Sequence, residues 1–207
     1  MKHFLNFSLG LLVTSLIFGC SSMTYKLSKD EKIVNQITEE TAKKLKEKKN
    51  LILIGTGGQM MHEIEMLAMS FQFFHEVDLE KARELIVYAV REYLSDINNN
   101  EEVRPYLHNY PFTAKNVEIR IFFYGPDRRE LPPDKIVYIS SRNGILRYYI
   151  RADDDHPIHQ ETYEEALGKI AFSQGADTVG RNTNEEVIVN EAPIRMKFPW
   201  GSEALKD

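Results

Sequence analysis

Cysteine is almost absent. The chain has one, Cys20, in 207 residues, so no intramolecular disulfide and no zinc site built on cysteine pairs can form. An excess of one charge sign is also lacking. There are 26 Lys+Arg against 31 Asp+Glu, a net charge of -5, and that mild acidity gives no global reason to expect nucleic-acid binding. No apolar run is long enough for a comfortable membrane span of about 20 residues. The catalytic signatures are missing too. There is no G-x-S-x-G nucleophile elbow, and no GxxxxGK[ST] phosphate loop follows Gly55-Thr56-Gly57-Gly58. His62-Glu63 begins an HExxH pattern, but Met66 occupies the place of the second histidine. What remains is the composition of a globular protein, 43% hydrophobic and 28% charged, without repeats or low-complexity blocks.

The N-terminus carries the strongest pattern. Met1, Lys2 and His3 make a short basic start, and residues 4–19 are mostly apolar and uncharged. A positive flank, an apolar centre and a small residue at the end match a secretory signal. Gly19 is that small residue, and Cys20 follows it directly. Ile17-Phe18-Gly19-Cys20 resembles the lipobox of bacterial lipoproteins, although Phe18 departs from the usual small or β-branched residue. The resemblance covers the first tenth of the chain. It implies cleavage before Cys20, a covalent lipid on that residue as the only expected cofactor-like group, and residence in the bacterial cell envelope. By the same resemblance Ser21, where an Asp would favour retention at the inner membrane, favours the outer membrane. Three acyl chains on one residue would anchor the protein almost permanently, since each buried methylene contributes roughly 0.8 kcal/mol. Residues 20–28 then read as the lipidated cysteine and its tether. The eight residues after the cysteine reach about 26–29 Å at most.

The mature chain reads as a single α+β domain over 29–172 and a polar tail over 173–207. Ser28 and Glu31 form a capping-box pattern before a helix over 29–48. Strand-like Leu51-Ile52-Leu53-Ile54 leads into the glycines, read as a turn into an apolar helix over 59–75. Asp78 caps a further helix whose apolar positions keep a 3.6 period from Leu79 to Ile97. Two prolines and several aromatics over 103–115 predict an irregular segment that caps the core or walls a pocket.

Residues 117–124 alternate as a strand, and Asn143-Gly144 joins strands 136–141 and 145–150 in a type I′ hairpin. That turn predicts that Ile139 faces Tyr148 and Val137 faces Ile150. One hairpin face then carries Val137, Ile139, Ser141, Leu146, Tyr148 and Ile150 toward the core. The other carries Tyr138, Arg142, Arg147, Tyr149 and Arg151, with Ile136 and Ile145. Arg120, Phe122 and Tyr124 extend it if the first strand pairs alongside. Over 116–151 seven basic side chains oppose four acidic ones, a local excess of three positive charges in an acidic protein. A basic, aromatic sheet face can stack on flat groups and pair with anions.

After the hairpin come Asp153, Asp155, His156 and His159, carboxylates and imidazoles of the types that hold divalent metals. Pro157 opposes a helical His-x-x-His geometry, and a solvated acidic turn is the competing reading. Thr162 and Glu165 open a helix near 163–172. Val187-Ile188-Val189 suits a short strand in the tail, and Trp200 lies beyond it.

The expected fold is therefore α+β, with N-terminal helices packed on an antiparallel sheet of three or more strands. The expected function is a non-enzymatic interaction or structural module, anchored to the membrane by lipid and meeting an envelope protein or glycan. An envelope ligand-binding protein with a pocket near 55–58 and 103–115 is the alternative, and a metal-dependent enzyme comes third.

Overall fold

The capping box at the start of the first helix is formed. In the computed structural model, which describes residues 26–152 and 156–179, Ser28 Oγ accepts from the Glu31 N–H and the Ser28 N–H donates to Glu31 Oε2 at 2.7 Å. Helix α1 runs Lys29–Lys49 and stops at Asn50, whose φ of 56° is left-handed and whose N–H caps Leu45 and Lys46 carbonyls. Helix α2, Leu79–Asn99, starts as expected at Asp78, whose carboxylate accepts from the Lys81 N–H at 2.7 Å. The two helices pack on each other. Thr38 Oγ1 and Tyr93 OH share a buried hydrogen bond of 2.9 Å, and Thr41 donates to Asp96 at 2.6 Å. Burial pushes the Tyr93 hydroxyl up to about 12.

The helix expected over 59–75 does not exist. Its place is taken by a hairpin of β1, Ile52–Gln59, and β2, Met66–Phe73. Leu67, Met69, Phe71 and Phe73 are buried, while Met66, Ala68, Ser70 and Gln72 alternate half-exposed. That is a period of two. The segment looked helical because Met66 and Ala68, on the solvent side of the strand, are themselves apolar and filled helical positions. The glycines are not a turn into a helix either, because Gly55, Gly57 and Gly58 lie within β1.

The remaining strands are β3, Val117–Phe123, β4, Ile136–Arg142, β5, Ile145–Ile150, and β6, His159–Thr162. The six form one sheet in the order β1-β2-β3-β4-β5-β6. Every neighbouring pair is antiparallel except β2 and β3, which are parallel. A parallel pair needs a crossover, and α2 supplies it. The protein is α+β, as expected, with a larger and mixed sheet. Helix α1 packs on β1 and α2 on β3 and β4. The core lies between these helices and one sheet face, filled by Leu67, Phe71, Ile119, Ile121, Ile139, Leu146 and Tyr148 from the strands.

The β4–β5 turn has Asn143 at φ 53° and Gly144 at φ 73°, the two left-handed residues that a type I′ turn requires. Ile139 faces Tyr148 as expected, but a bulge between Ile136 and Tyr138 sets Ile136, not Val137, opposite Ile150. One extra residue on the bulged strand returns Ile136 to the buried side.

The segment 103–115 closes over the core. Asn98 grips it by donating to the Phe112 carbonyl at 2.9 Å and accepting from the Phe112 N–H at 2.8 Å. Val103, Leu107, Phe112 and Ala114 are buried. Ile64 bridges Leu107 from the β1–β2 connection.

The chain divides by contacts into Met1–Tyr163 and Glu164–Asp207. Helix α3 spans Tyr163–Val179, longer than the expected 163–172. Among the described residues no helix is long and apolar enough to cross a membrane. The signal segment, Cys20, Asp153, Asp155, Val187–Val189 and Trp200 all lie outside the described residues.

Gly58 has a specific reason to be glycine. A Cβ there would meet the Met66 carbonyl oxygen at 2.9 Å and a Leu67 methyl at 3.3 Å. Gly58→Ala is expected to cost about 1–3 kcal/mol, the usual penalty for forced shifts. Gly55→Ala, with nothing within 4 Å of its Cβ, is expected to be neutral or to gain up to about 1 kcal/mol through the unfolded chain. Thermal unfolding of both variants checks this, and equal effects would refute it.

Candidate binding face

The side of the sheet away from α1 and α2 is built in rows across the strands. Arg120 of β3 lies beside Ser140 of β4, which lies beside Arg147 of β5 and then Gln160 of β6. The next row toward one end is Phe122, Tyr138 and Tyr149. Toward the other end lie Glu118 and Arg142. The expectation that β3 extends the hairpin face is therefore met, because alternation sends these side chains to one side.

The aromatic row stacks on itself. Tyr138 and Tyr149 have ring centroids 4.2 Å apart with planes at 7°, and Phe122 and Tyr138 are 5.6 Å apart at 28°. Such contacts contribute about 0.5–1.5 kcal/mol each beyond burial. They also mean that each ring covers its neighbour's face.

Glu118 is the one acid of the patch, and its side chain is only 8% exposed. It pairs with Arg120 at one oxygen and with Arg142 Nε, 3.6 Å away, at the other. A nearly buried carboxylate thus holds two guanidiniums that themselves stand in solvent. Arg147 makes no ion pair among the described residues. Together with Phe122, Tyr138, Ser140, Asn143 and Tyr149 these residues line an open hollow of about 700 Å³.

No known protein family, curated protein or solved structure matches the chain. The site therefore has to be read from its own chemistry.

Two residues expected on this face stand apart from it. Arg151 lies past the end of β5 and pairs with Glu130. Ile136 is buried because of the β4 bulge. The glycines of β1 line two smaller hollows. One is shared with Met66, Ala68, Ser70, Glu118 and Arg120, and the other with α1 residues such as Val34 and Thr38. Neither takes a wall from 103–115.

Of the residues considered for metal, His156 precedes β6 and His159 opens it. His159 Nε2 is buried without a hydrogen bond, 3.8 Å from Glu161 Oε1. Among the described residues no three His, Cys, Asp or Glu side chains gather to hold a metal ion.

A buried polar cluster escaped the sequence reading. Arg83 Nε donates to Glu161 Oε1 at 2.7 Å, and Tyr148 OH donates to the same oxygen at 2.5 Å. Burial, then the hydrogen bond and charge of Glu161, drive the Tyr148 hydroxyl well above its ordinary range. Burial alone would lower the Arg83 guanidinium, but Glu161 outweighs it and leaves it raised. Neither group is moved toward neutral pH, so the cluster has the character of a structural lock rather than a proton relay. The available signal was alternation in β6, which sends His159 and Glu161 inward opposite Tyr148 and Leu146.

Proposed function

We propose that the protein is a lipid-anchored, non-enzymatic interaction module of the bacterial cell envelope. It is tethered through Cys20 and presents the sheet face opposite α1 and α2 to an anionic envelope partner, a protein or a glycan. The observation that carries this reading is the Arg120–Ser140–Arg147 row beside the aromatic ladder, on the sheet face that α1 and α2 leave uncovered. Charged and aromatic side chains gathered on one face suit recognition. The short tether keeps that face near the bilayer, and Ser21 favours the outer membrane.

The test has two arms. Cys20→Ser is expected to lose its lipid label and leave the membrane fraction, and unchanged partitioning would sink the anchor. A photo-cross-linking residue at exposed Gln160, beside Arg147 on the same face, is expected to capture one recurring envelope partner in intact cells. The same probe at exposed Glu47 of α1 is not. Equal capture at both positions, or at neither, would overturn the recognition face.

A further inference from the structure

The chemistry of the hollow above Ser140 suits a small ligand of one charge class. Arg120 and Arg147 flank Ser140 from adjacent strands, about 9.5 Å apart at their backbones given the strand spacing. Between them stands only a serine, so two long guanidinium side chains can converge over a small hydroxyl floor. Arg142, two residues along β4 on the same side, closes the end of the hollow next to Glu118. Glu118 is nearly buried and offers its two oxygens to Arg120 and Arg142. It therefore orders those two guanidiniums in advance, which lowers the entropy cost of gripping a ligand.

Three arginines and one carboxylate leave two positive charges uncompensated. The opposite wall is the stacked row of Phe122, Tyr138 and Tyr149. Tyr138 is stacked on both sides, so its faces are taken. A flat sugar would find fewer free ring faces than three aromatic residues suggest. A compact doubly charged oxyanion would find forked donors on several sides.

We propose that this hollow binds a phosphomonoester dianion. Its phosphate is held by Arg147 and by the guanidiniums of Arg120 and Arg142 that Glu118 steadies, with Ser140 as the floor. The inference rests on the recognition face proposed above and names a small ligand that the same face holds besides its protein or glycan partner. The phosphate can belong to a soluble compound or to a lipid headgroup of the nearby bilayer.

The test uses the full lipidated chain in detergent micelles, with phosphorus NMR as the readout. Two probes separate the sources: glycerol 3-phosphate in solution, and phosphatidic acid mixed into the micelles. Saturable binding of either probe is expected, weakened at least tenfold by Arg147→Gln and three- to fivefold by Arg147→Lys, which keeps the charge and loses the fork. A singly charged sulfate ester is expected to displace glycerol 3-phosphate at least tenfold less effectively, read on the phosphorus signal. Binding should also fall as pH drops through about 6, where the phosphate loses its second charge. Arg147 is half-exposed, and an unchanged thermal transition keeps the variants interpretable. No saturation with either probe, or binding indifferent to Arg147→Gln, overturns the proposal. The recognition face is judged separately by capture from position 160. A wild-type protein that captures its partner but binds neither phosphate probe refutes the phosphate and leaves the face standing.

Discussion

Replacing Arg83 with methionine is expected to cost about 3–5 kcal/mol of folding stability, the usual penalty for removing one partner of a buried ion pair. The Glu161 side chain is 2% exposed and that of Arg83 is 10% exposed. Without the guanidinium, the nearly buried carboxylate keeps the Tyr148 hydroxyl but loses the cation that hydrogen-bonds it. It is then expected to hold a proton above the ordinary carboxylate range. The sign follows. A carboxyl whose folded pKa is raised contributes stability below its unfolded pKa and loses it as pH rises. Arg83→Met should therefore lie closest to wild type near pH 4 and fall away toward pH 7. Adding Glu161→Gln should restore part of the loss, because the buried charge is gone and Tyr148 still has a partner. Urea unfolding of both variants across that pH range checks this. A cost below about 1 kcal/mol, the range of exposed pairs, would show that the cluster is solvated.

Phe71→Ala is expected to be as damaging, at about 3–5 kcal/mol, because a fully buried ring leaves a cavity that the surrounding core cannot close. Gln72→Ala next to it should change stability by no more than about 0.5 kcal/mol. The informative comparison is Phe73 with Phe74. On a helix, Phe71 and Phe74 would share a face and Phe73 would not. On β2, Phe71 and Phe73 point inward, whereas Phe74 is half-exposed beside Tyr124 and Arg128. Phe73→Ala should therefore unfold in far less denaturant than Phe74→Ala. The reverse order would contradict the hairpin.

These two sites also mark where sequence reasoning stopped. Helices α1 and α2 were legible because their caps are local: Ser28 with Glu31, and Asp78 with the Lys81 N–H, act within one turn. The β4–β5 hairpin was legible for the same reason. Asn143-Gly144 sets a two-residue turn, and a tight turn fixes the register of the strands it joins. The face of Tyr138, Arg142, Arg147 and Tyr149 followed from that register and from alternation. The strand β2 was not legible, because apolar residues on both of its sides erased the contrast between a period of two and one of 3.6. The pairing of Arg83 with Glu161 was not legible because it spans 78 positions of chain, a relation no local pattern carries.

What the sequence determined by itself is therefore the set of features built within a few residues: the helix caps, the hairpin turn and the face its strands present. The tertiary structure alone decided three others. It set β2 parallel to β3 with α2 as the crossover. It buried Arg83 and Glu161 together under Tyr148. It brought Arg120 from a separate strand into one row with Ser140 and Arg147. The physical reason is common to all three. Caps and turns are satisfied by neighbours in sequence, whereas a buried charge or a row across strands takes its partner from wherever the sheet order places it.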